Sequence, residues 1–321
     1  MHMSDALLST PVALTAGAAA VAVLAVAGSK IRKRENPRLV PLMGVMGAFV
    51  FAAQMVNFAI PGTGSSGHIV GGVLLAAFLG PWAALIALSS VLIIQCLVFS
   101  DGGLMALGCN IINMGVMTTL VAYPLVFKPI AGASVNVWRL VTASVAASVV
   151  GLELGALAVT LETELSGITA LPFGKFLAFM TAIHLPIGLG EGLATAAILS
   201  FVARTRPDLL SRGSASGSIP SRQSLKKALI CFSIAAVAVG GGLMWLASSR
   251  PDGLEWSVAK VAGTSELVAE HPTAVSRGAS SITAATSVMP DYENPLSGII
   301  GAAMVLVVVW GITSVAVRRR A

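Results

Sequence analysis

The first two residues of the chain, Met1 and His2, place three nitrogen atoms close together. These are the α-amine of Met1, the backbone nitrogen of His2 and Nδ1 of the His2 imidazole. The amine and the backbone nitrogen would close a five-membered ring on a metal ion, and the backbone nitrogen and Nδ1 a six-membered ring. Because rings of these sizes are unstrained, the three atoms can surround a small cation as a planar unit, here called the N-terminal claw. Planar nitrogen coordination suits Ni(II) or Cu(II) better than zinc or magnesium.

A second histidine, His68, is our candidate for the fourth donor in that plane. It follows a segment rich in glycine and serine, residues 61–67, in which the backbone can take left-handed angles and approach a ligand closely. We predict that a helix begins at His68. Two other interpretations stay open: His68 as a hydrogen-bonded residue at a membrane interface, and His2 as a disordered terminal histidine or one left by an expression vector.

The composition predicts an integral membrane protein. Of the 321 residues, 56% are hydrophobic and 11% are charged, with a mean hydropathy of +0.88; a soluble domain carries about 25% charged residues. Since alternating strand patterns are absent, helices must cross the bilayer. We predict an all-α protein with nine transmembrane helices, a seven-helix bundle followed by a two-helix C-terminal unit. The predicted spans are 10–29, 40–58, 68–80, 82–99, 103–127, 136–161, 175–203, 228–248 and 296–317.

The distribution of charge decides how the apolar stretch 68–99 is divided. If Gly80-Pro81 breaks it into two helices, 16 of the 20 basic residues fall on one side of the membrane and 10 of the 14 acidic residues on the other. A single helix would destroy this separation. The positive-inside rule therefore favours two helices, with the N-terminus outside and the C-terminus in the cytoplasm. Topology thus accounts for the basic loops, and we predict no nucleic-acid partner.

The chain divides into three parts. Residues 1–203 form the predicted metal-capture domain with seven spans, and 204–227 form a basic cytoplasmic linker rich in Ser, Gly and Arg. Residues 228–321 form a unit with two spans and an outer loop over 249–295. The first span has no basic residue before it, unlike a signal peptide, so we expect Met1 to be retained with its amine free.

Ionisable residues inside the spans are few, and such residues are functional candidates. Glu153 lies in the sixth span, and His184 and Glu191 lie seven residues apart in the seventh. Asn110 and Asn113 share a face of the fifth. These side chains either join helices by hydrogen bonds or support a metal site. Alternatively, the three ionisable residues relay protons in a solitary proton-coupled carrier or channel.

An enzymatic role ranks lower. His184 and Glu191 are about 10 Å apart along a helix, too far for direct proton transfer. Gly174-Lys175 is followed by Phe176, where a phosphate-binding loop needs Ser or Thr. We therefore predict that the chain binds no nucleotide and that any ATPase is a separate protein.

Four segments of residues 1–203 resemble, in the same order, the substrate-capture component of nickel/cobalt energy-coupling factor (ECF) ABC transporters. They are Met1-His2-Met3-Ser4-Asp5-Ala6-Leu7-Leu8, Ser66-Gly67-His68-Ile69-Val70-Gly71-Gly72, Asn110-Ile111-Ile112-Asn113-Met114-Gly115 and His184-Leu185-Pro186-Ile187-Gly188-Leu189-Gly190-Glu191-Gly192. The C-terminal unit, with Pro251-Asp252-Gly253-Leu254-Glu255, resembles the small accessory membrane subunit of these systems, here fused.

The resemblance implies a mechanism. Met1, His2 and His68 would hold one Ni2+ or Co2+ at the extracytoplasmic face. A membrane scaffold (T) subunit and cytoplasmic ATPase subunits would drive its uptake across a bacterial or archaeal inner membrane. Candidates for supporting or pathway residues are Ser66, Asn110, Asn113, His184 and Glu191.

Overall fold

The computed structural model describes residues 1–33, 39–132, 136–210, 222–265, 267, 272–292 and 296–318. Its elements are almost entirely helical. The bundle comprises α1 (Thr10–Arg32), α2 (Leu39–Gln54), α3 (Gly72–Leu79), α4 (Pro81–Phe99), α5 (Leu107–Ala131), α6 (Val137–Ser166) and α7 (Phe173–Thr205). The C-terminal unit comprises α8 (Arg222–Gly241), α9 (Gly253–Ala262), α10 (Ala274–Thr286) and α11 (Ser297–Arg318). Short 3-10 turns lie at Asp5–Leu7, Pro207–Leu209, Leu243–Leu246 and Pro290–Tyr292, and β1 (Phe58–Ala59) pairs antiparallel with β2 (Ser66–Gly67).

Five of these helices, α1, α4, α5, α6 and α7, are long and apolar enough to cross a membrane. Helix α2 and the first part of α11 are apolar but shorter. The middle of α5, Ile111–Phe127, is wound as a π-helix. The predicted class, a helical multi-pass membrane protein, is confirmed, whereas the count of nine spans stays a prediction.

The apolar stretch 68–99 is divided at Gly80, as the charge pattern predicts. Gly80 has a φ of 79°, which ends α3 and lets α4 begin at Pro81. The prediction that a helix begins at His68 is wrong, because α3 begins only at Gly72, after Gly71 with a φ of 77°. With eight residues α3 is about 12 Å long, well short of the hydrocarbon thickness. It is buried along its whole length.

The residues predicted to form the metal site lie at one end of the bundle, here called the site end. The Gln95 amide donates to the Gln54 side-chain oxygen at 2.8 Å, so the C-terminal ends of α2 and α4 lie together there. The N-terminus, the segment 55–71 and the residues after α4 meet at the same end. We keep the assignment of this end to the outside of the membrane as a prediction.

The C-terminal unit packs against the bundle through α8 and α11, which both contact α2. Small residues permit the close approach of the two helices to each other: a Cβ atom on Gly298 would lie 2.7 Å from the Cα of Gly240. The segment predicted as an outer loop contains two short helices, α9 and α10, which the hydropathy pattern does not predict. Of the predicted linker, residues 211–221 lie outside the described part of the chain.

Candidate metal centre

The amino terminus is buried in the site end. Met1 is only 4% exposed, and its amine lies 2.6 Å from Oδ2 of Asp252 in the C-terminal unit. The side chain of Met1 packs against α6, where a Cβ on Gly155 would approach its sulfur to 3.0 Å. The terminus is therefore a fixed part of the core.

His2 and His68 lie next to each other. Their imidazole rings are nearly parallel, with an interplanar angle of 12° and centroids 5.4 Å apart. Nδ1 of His2 lies 3.0 Å from Oδ1 of Asp101, while its Nε2 is buried without a hydrogen-bond partner among the described residues. Nδ1 of His2, which the N-terminal claw needs, therefore contacts the Asp101 carboxylate in this structure. To form the claw, the His2 ring must leave Asp101 and bind the ion.

Met3 anchors the terminus by its backbone. Its N–H donates to Oδ1 of Asn110 at 2.8 Å, and its carbonyl accepts from the Asn110 amide at 3.3 Å and from the N–H of Gly103 at 2.9 Å. The amide of Asn113 lies 3.6 Å from the Met3 sulfur and donates to Glu162 at 2.6 Å. Asn110 and Asn113 thus fix the residue that follows the claw.

Glu191 fixes the segment that carries His68. Its carboxylate accepts the backbone N–H groups of Val70 at 2.7 Å and Gly71 at 3.0 Å. His68 Nδ1 lies 3.1 Å from the carbonyl of Ile69. Because a carbonyl only accepts, Nδ1 carries the proton and Nε2 keeps the lone pair that a metal needs.

The Glu191→Gln variant tests this role. An amide in place of the carboxylate sets an NH2 against a backbone N–H, so that one of two buried, charge-assisted hydrogen bonds is lost at a cost of about 2 kcal/mol. Amide exchange at Val70 and Gly71 should then accelerate about thirtyfold in hydrogen-exchange mass spectrometry. The control is Glu153→Gln, since Oε1 of Glu153 has no hydrogen-bond partner among the described residues. Equal exchange in both variants would contradict the assignment.

The C-terminal unit covers the Gly-rich segment before His68. The carbonyl of Pro251 accepts the Ser66 N–H at 2.8 Å, and the Ser66 hydroxyl donates to the carbonyl of Arg250 at 2.7 Å. Asp252 then caps α9 in a capping box with Glu255, its Oδ1 accepting the Glu255 N–H at 2.8 Å. One carboxylate thus caps a helix with one oxygen and holds the Met1 amine with the other.

The local charges keep the two aspartates ionised and His68 neutral. Burial alone would raise the pKa of Asp101, but the nearby His2 and the hydroxyl of Tyr292 lower it to about 2. Burial is likewise outweighed at Asp252, where the positive Met1 amine holds the pKa well below its usual range. Burial, with the positive terminus nearby, lowers the pKa of His68 to about 4. Its imidazole is therefore neutral, as ligation requires, throughout the physiological range.

Two cavities adjoin these residues. An open cleft of about 840 Å³ is lined by His2, His68, Asp101 and Asp252 among others, and it gives access from the site end. A small cavity of about 10 Å³ lies between Met1, His68, His184 and Asp252, at the lower limit for one water molecule. His184 borders it, with Nδ1 2.7 Å from the Met180 carbonyl and Nε2 without a hydrogen-bond partner in the described ranges.

The structure brings the predicted residues together and adds three. Met1, His2 and His68 meet, and Ser66, Asn110, Asn113 and Glu191 each support a segment that carries one of them. Asp101, Asp252 and Tyr292 were not predicted. Across the described residues no group of three or more His, Cys, Asp or Glu side chains is arranged to hold a metal ion.

Comparison with known proteins assigns the first part of the chain. Residues 2–209 match the family model of the cobalt uptake substrate-specific transmembrane region, CbiM. The chain belongs to this family. Residues 226–318 match the PDGLE domain, whose name is spelled out by Pro251-Asp252-Gly253-Leu254-Glu255.

Two relatives of the chain are named as fused nickel transport proteins. The chain is 36% identical over 219 residues to a putative fused nickel transport protein NikMN of Archaeoglobus fulgidus, covering 68% of this chain and 71% of that protein. It is 32% identical to the fused nickel transport protein NikMN of Rhodobacter capsulatus, and the match covers 65% of this chain and 64% of that protein. A crystal structure of a truncated transition metal transporter superposes with a TM-score of 0.56 at 31% identity, covering 64% of this chain and 99% of that one. The resemblance to an ECF substrate-capture component fused to its accessory subunit is confirmed.

Proposed function

We propose that the chain captures one Ni2+ or Co2+ at the extracytoplasmic face and delivers it inward as the substrate-specific subunit of an ATP-driven ECF importer. The observation that carries the proposal is the buried Met1 amine beside the paired imidazoles of His2 and His68. Membership of the CbiM family and the nickel transport names of the fused relatives support it.

Loading of the site requires the contacts of Met1 and His2 described above to change. The ion enters by the open cleft, whose lining carboxylates attract a divalent cation. The Met1 amine leaves Asp252 and releases its extra proton, the His2 ring leaves Asp101 with Nδ1 freed of its proton, and the backbone N–H of His2 gives up its proton to water in the cleft. These three deprotonated nitrogens then bind the ion. His68, held with Nε2 free, supplies the fourth nitrogen. Four nitrogens in a plane favour nickel over cobalt.

The carboxylates then remain as partners of a positive centre. Asp252 and Asp101 are ionised before the ion arrives, and one divalent cation takes the place of the Met1 amine and the His2 ring that they contact in this structure. Since the ion replaces the contacts that the two aspartates lose, neither carboxylate is left buried without a partner. The protein is a transporter subunit in this account, and ATP hydrolysis belongs to its partners.

Reconstitution into vesicles separates this function from a solitary carrier. Vesicles that contain the chain with its scaffold and ATPase partners should accumulate Ni2+ only with ATP, and vesicles that contain the chain alone should not accumulate it under a pH gradient. Uptake by the chain alone, driven by protons, would favour the carrier. In the proposed function Glu191 has a structural role, because its carboxylate accepts two backbone N–H groups of the segment after His68.

A further inference from the structure

Tyr292, in the C-terminal unit, is connected to His2 through the carboxylate of Asp101. Tyr292 donates its hydroxyl to Oδ2 of Asp101 at 2.5 Å, and Oδ1 of the same carboxylate lies 3.0 Å from Nδ1 of His2. Asp101 therefore links a phenol of the PDGLE domain to the imidazole of the N-terminal claw. Asp101 belongs to the CbiM part, directly after α4, so this link crosses between the two fused units.

The ring of Tyr292 is held independently of its hydroxyl. It stacks on Phe99 at the end of α4, with centroids 4.7 Å apart and an interplanar angle of 22°. Its backbone has a φ of 56°, a left-handed conformation that a residue with a large side chain rarely adopts. Such a conformation persists only where the surroundings enforce it, and it concentrates at functional positions.

We propose that Tyr292 is a positioning residue for metal loading, which sets how firmly Asp101 holds His2 before the ion binds. A carboxylate that already accepts a hydrogen bond from a phenol is a weaker acceptor for a second donor. The hydroxyl of Tyr292 therefore eases the transfer of Nδ1 from Asp101 to the ion. This inference rests on the proposed function, because it requires His2 to be a ligand.

The proposal predicts a kinetic effect confined to loading. Once the imidazole is bound to the ion, its hydrogen bond to Asp101 no longer exists, so the hydroxyl of Tyr292 acts on His2 before loading and not after it. In Tyr292→Phe the ring and its stacking on Phe99 remain, while Asp101 binds His2 more tightly. The association rate of Ni2+ should fall about three- to tenfold, with an unchanged dissociation rate and an equal loss of affinity.

The test uses the full chain and Ni2+ alone, with stopped-flow kinetics and calorimetry. The matched control is Ser287→Ala, which removes hydrogen bonds to Ser100 at 2.9 Å and to the Val98 carbonyl at 3.5 Å at the same interface. Among the described residues, the Ser287 hydroxyl makes no hydrogen bond to Asp101 or His2. In an Asp101→Asn background, Tyr292→Phe should change the affinity less than about twofold.

Three results would overturn the proposal: unchanged association in Tyr292→Phe, an effect of equal size in Ser287→Ala, or the same loss with and without Asp101. If the Asp101→Asn protein does not fold, the association and dissociation rates of Tyr292→Phe alone decide whether the proposal holds. Failure of the unaltered chain to bind Ni2+ would instead overturn the proposed function itself.

Discussion

Two residues added before Met1 should lower the affinity for Ni2+ by about a hundredfold or more, the largest effect that we expect from any change to the chain. The added residues convert the Met1 amine into an amide and remove one of the three donors of the claw. They also have no room, because Met1 is 4% exposed and its nitrogen is paired with Asp252. Calorimetry with Ni2+ on the purified full chain measures the effect.

The length of the addition matters. A single added residue would place the histidine third, where a terminal amine, two amides and Nδ1 can form a different claw with four nitrogens. The control carries the same two residues at the C-terminus, and proteolytic removal of the N-terminal addition should restore binding. Unchanged affinity in the extended protein would contradict the role of the amine.

His68→Gln should lower the affinity for Ni2+ by a similar factor, about a hundredfold, because it removes the imidazole that closes the plane. The His68 ring is oriented by the contact of Nδ1 with the Ile69 carbonyl. The backbone after it is held by the Glu191 carboxylate, which accepts the N–H of Val70. Calorimetry and the metal content after gel filtration both measure the loss.

His184→Gln is the matched control for that variant. His184 is also a buried histidine with one ring nitrogen on a carbonyl, and it borders the small cavity beneath Met1. Since it lies outside the claw, its replacement should change the affinity less than about threefold. A larger loss in His184→Gln than in His68→Gln would reverse the assignment of the fourth donor.

The sequence predicts the features that depend on local pattern and charge. Hydropathy predicts a helical membrane protein, and the separation of basic from acidic residues predicts the break at Gly80-Pro81, where the positive φ of Gly80 ends α3. The start of α3 is predicted wrongly because its cause is distant. Glu191, 121 residues away along the chain, holds the N–H of Val70 and keeps His68 outside the helix.

The difference between local patterns and contacts of distant residues also explains which candidate site residues can be predicted from the sequence. Met1 and His2 are adjacent in the chain, so their chelate can be predicted from covalent geometry. Asp252 meets the Met1 amine across 251 residues, and Tyr292 meets Asp101 across 191, and no local pattern encodes these pairs. One signal was available: Asp252 and Glu255 have the spacing of a capping box, which marks the start of α9 inside the predicted loop.

The absorption spectrum of the chain with an untouched N-terminus, recorded together with its metal content after loading with Ni2+, tests the central claim most directly. A free terminal amine, the His2 amide and imidazole, and His68 should give one nickel ion per chain and the yellow colour of planar Ni(II) bound by four nitrogens. A pale green protein with the spectrum of six-coordinate nickel, or a chain that retains no nickel, would contradict the account.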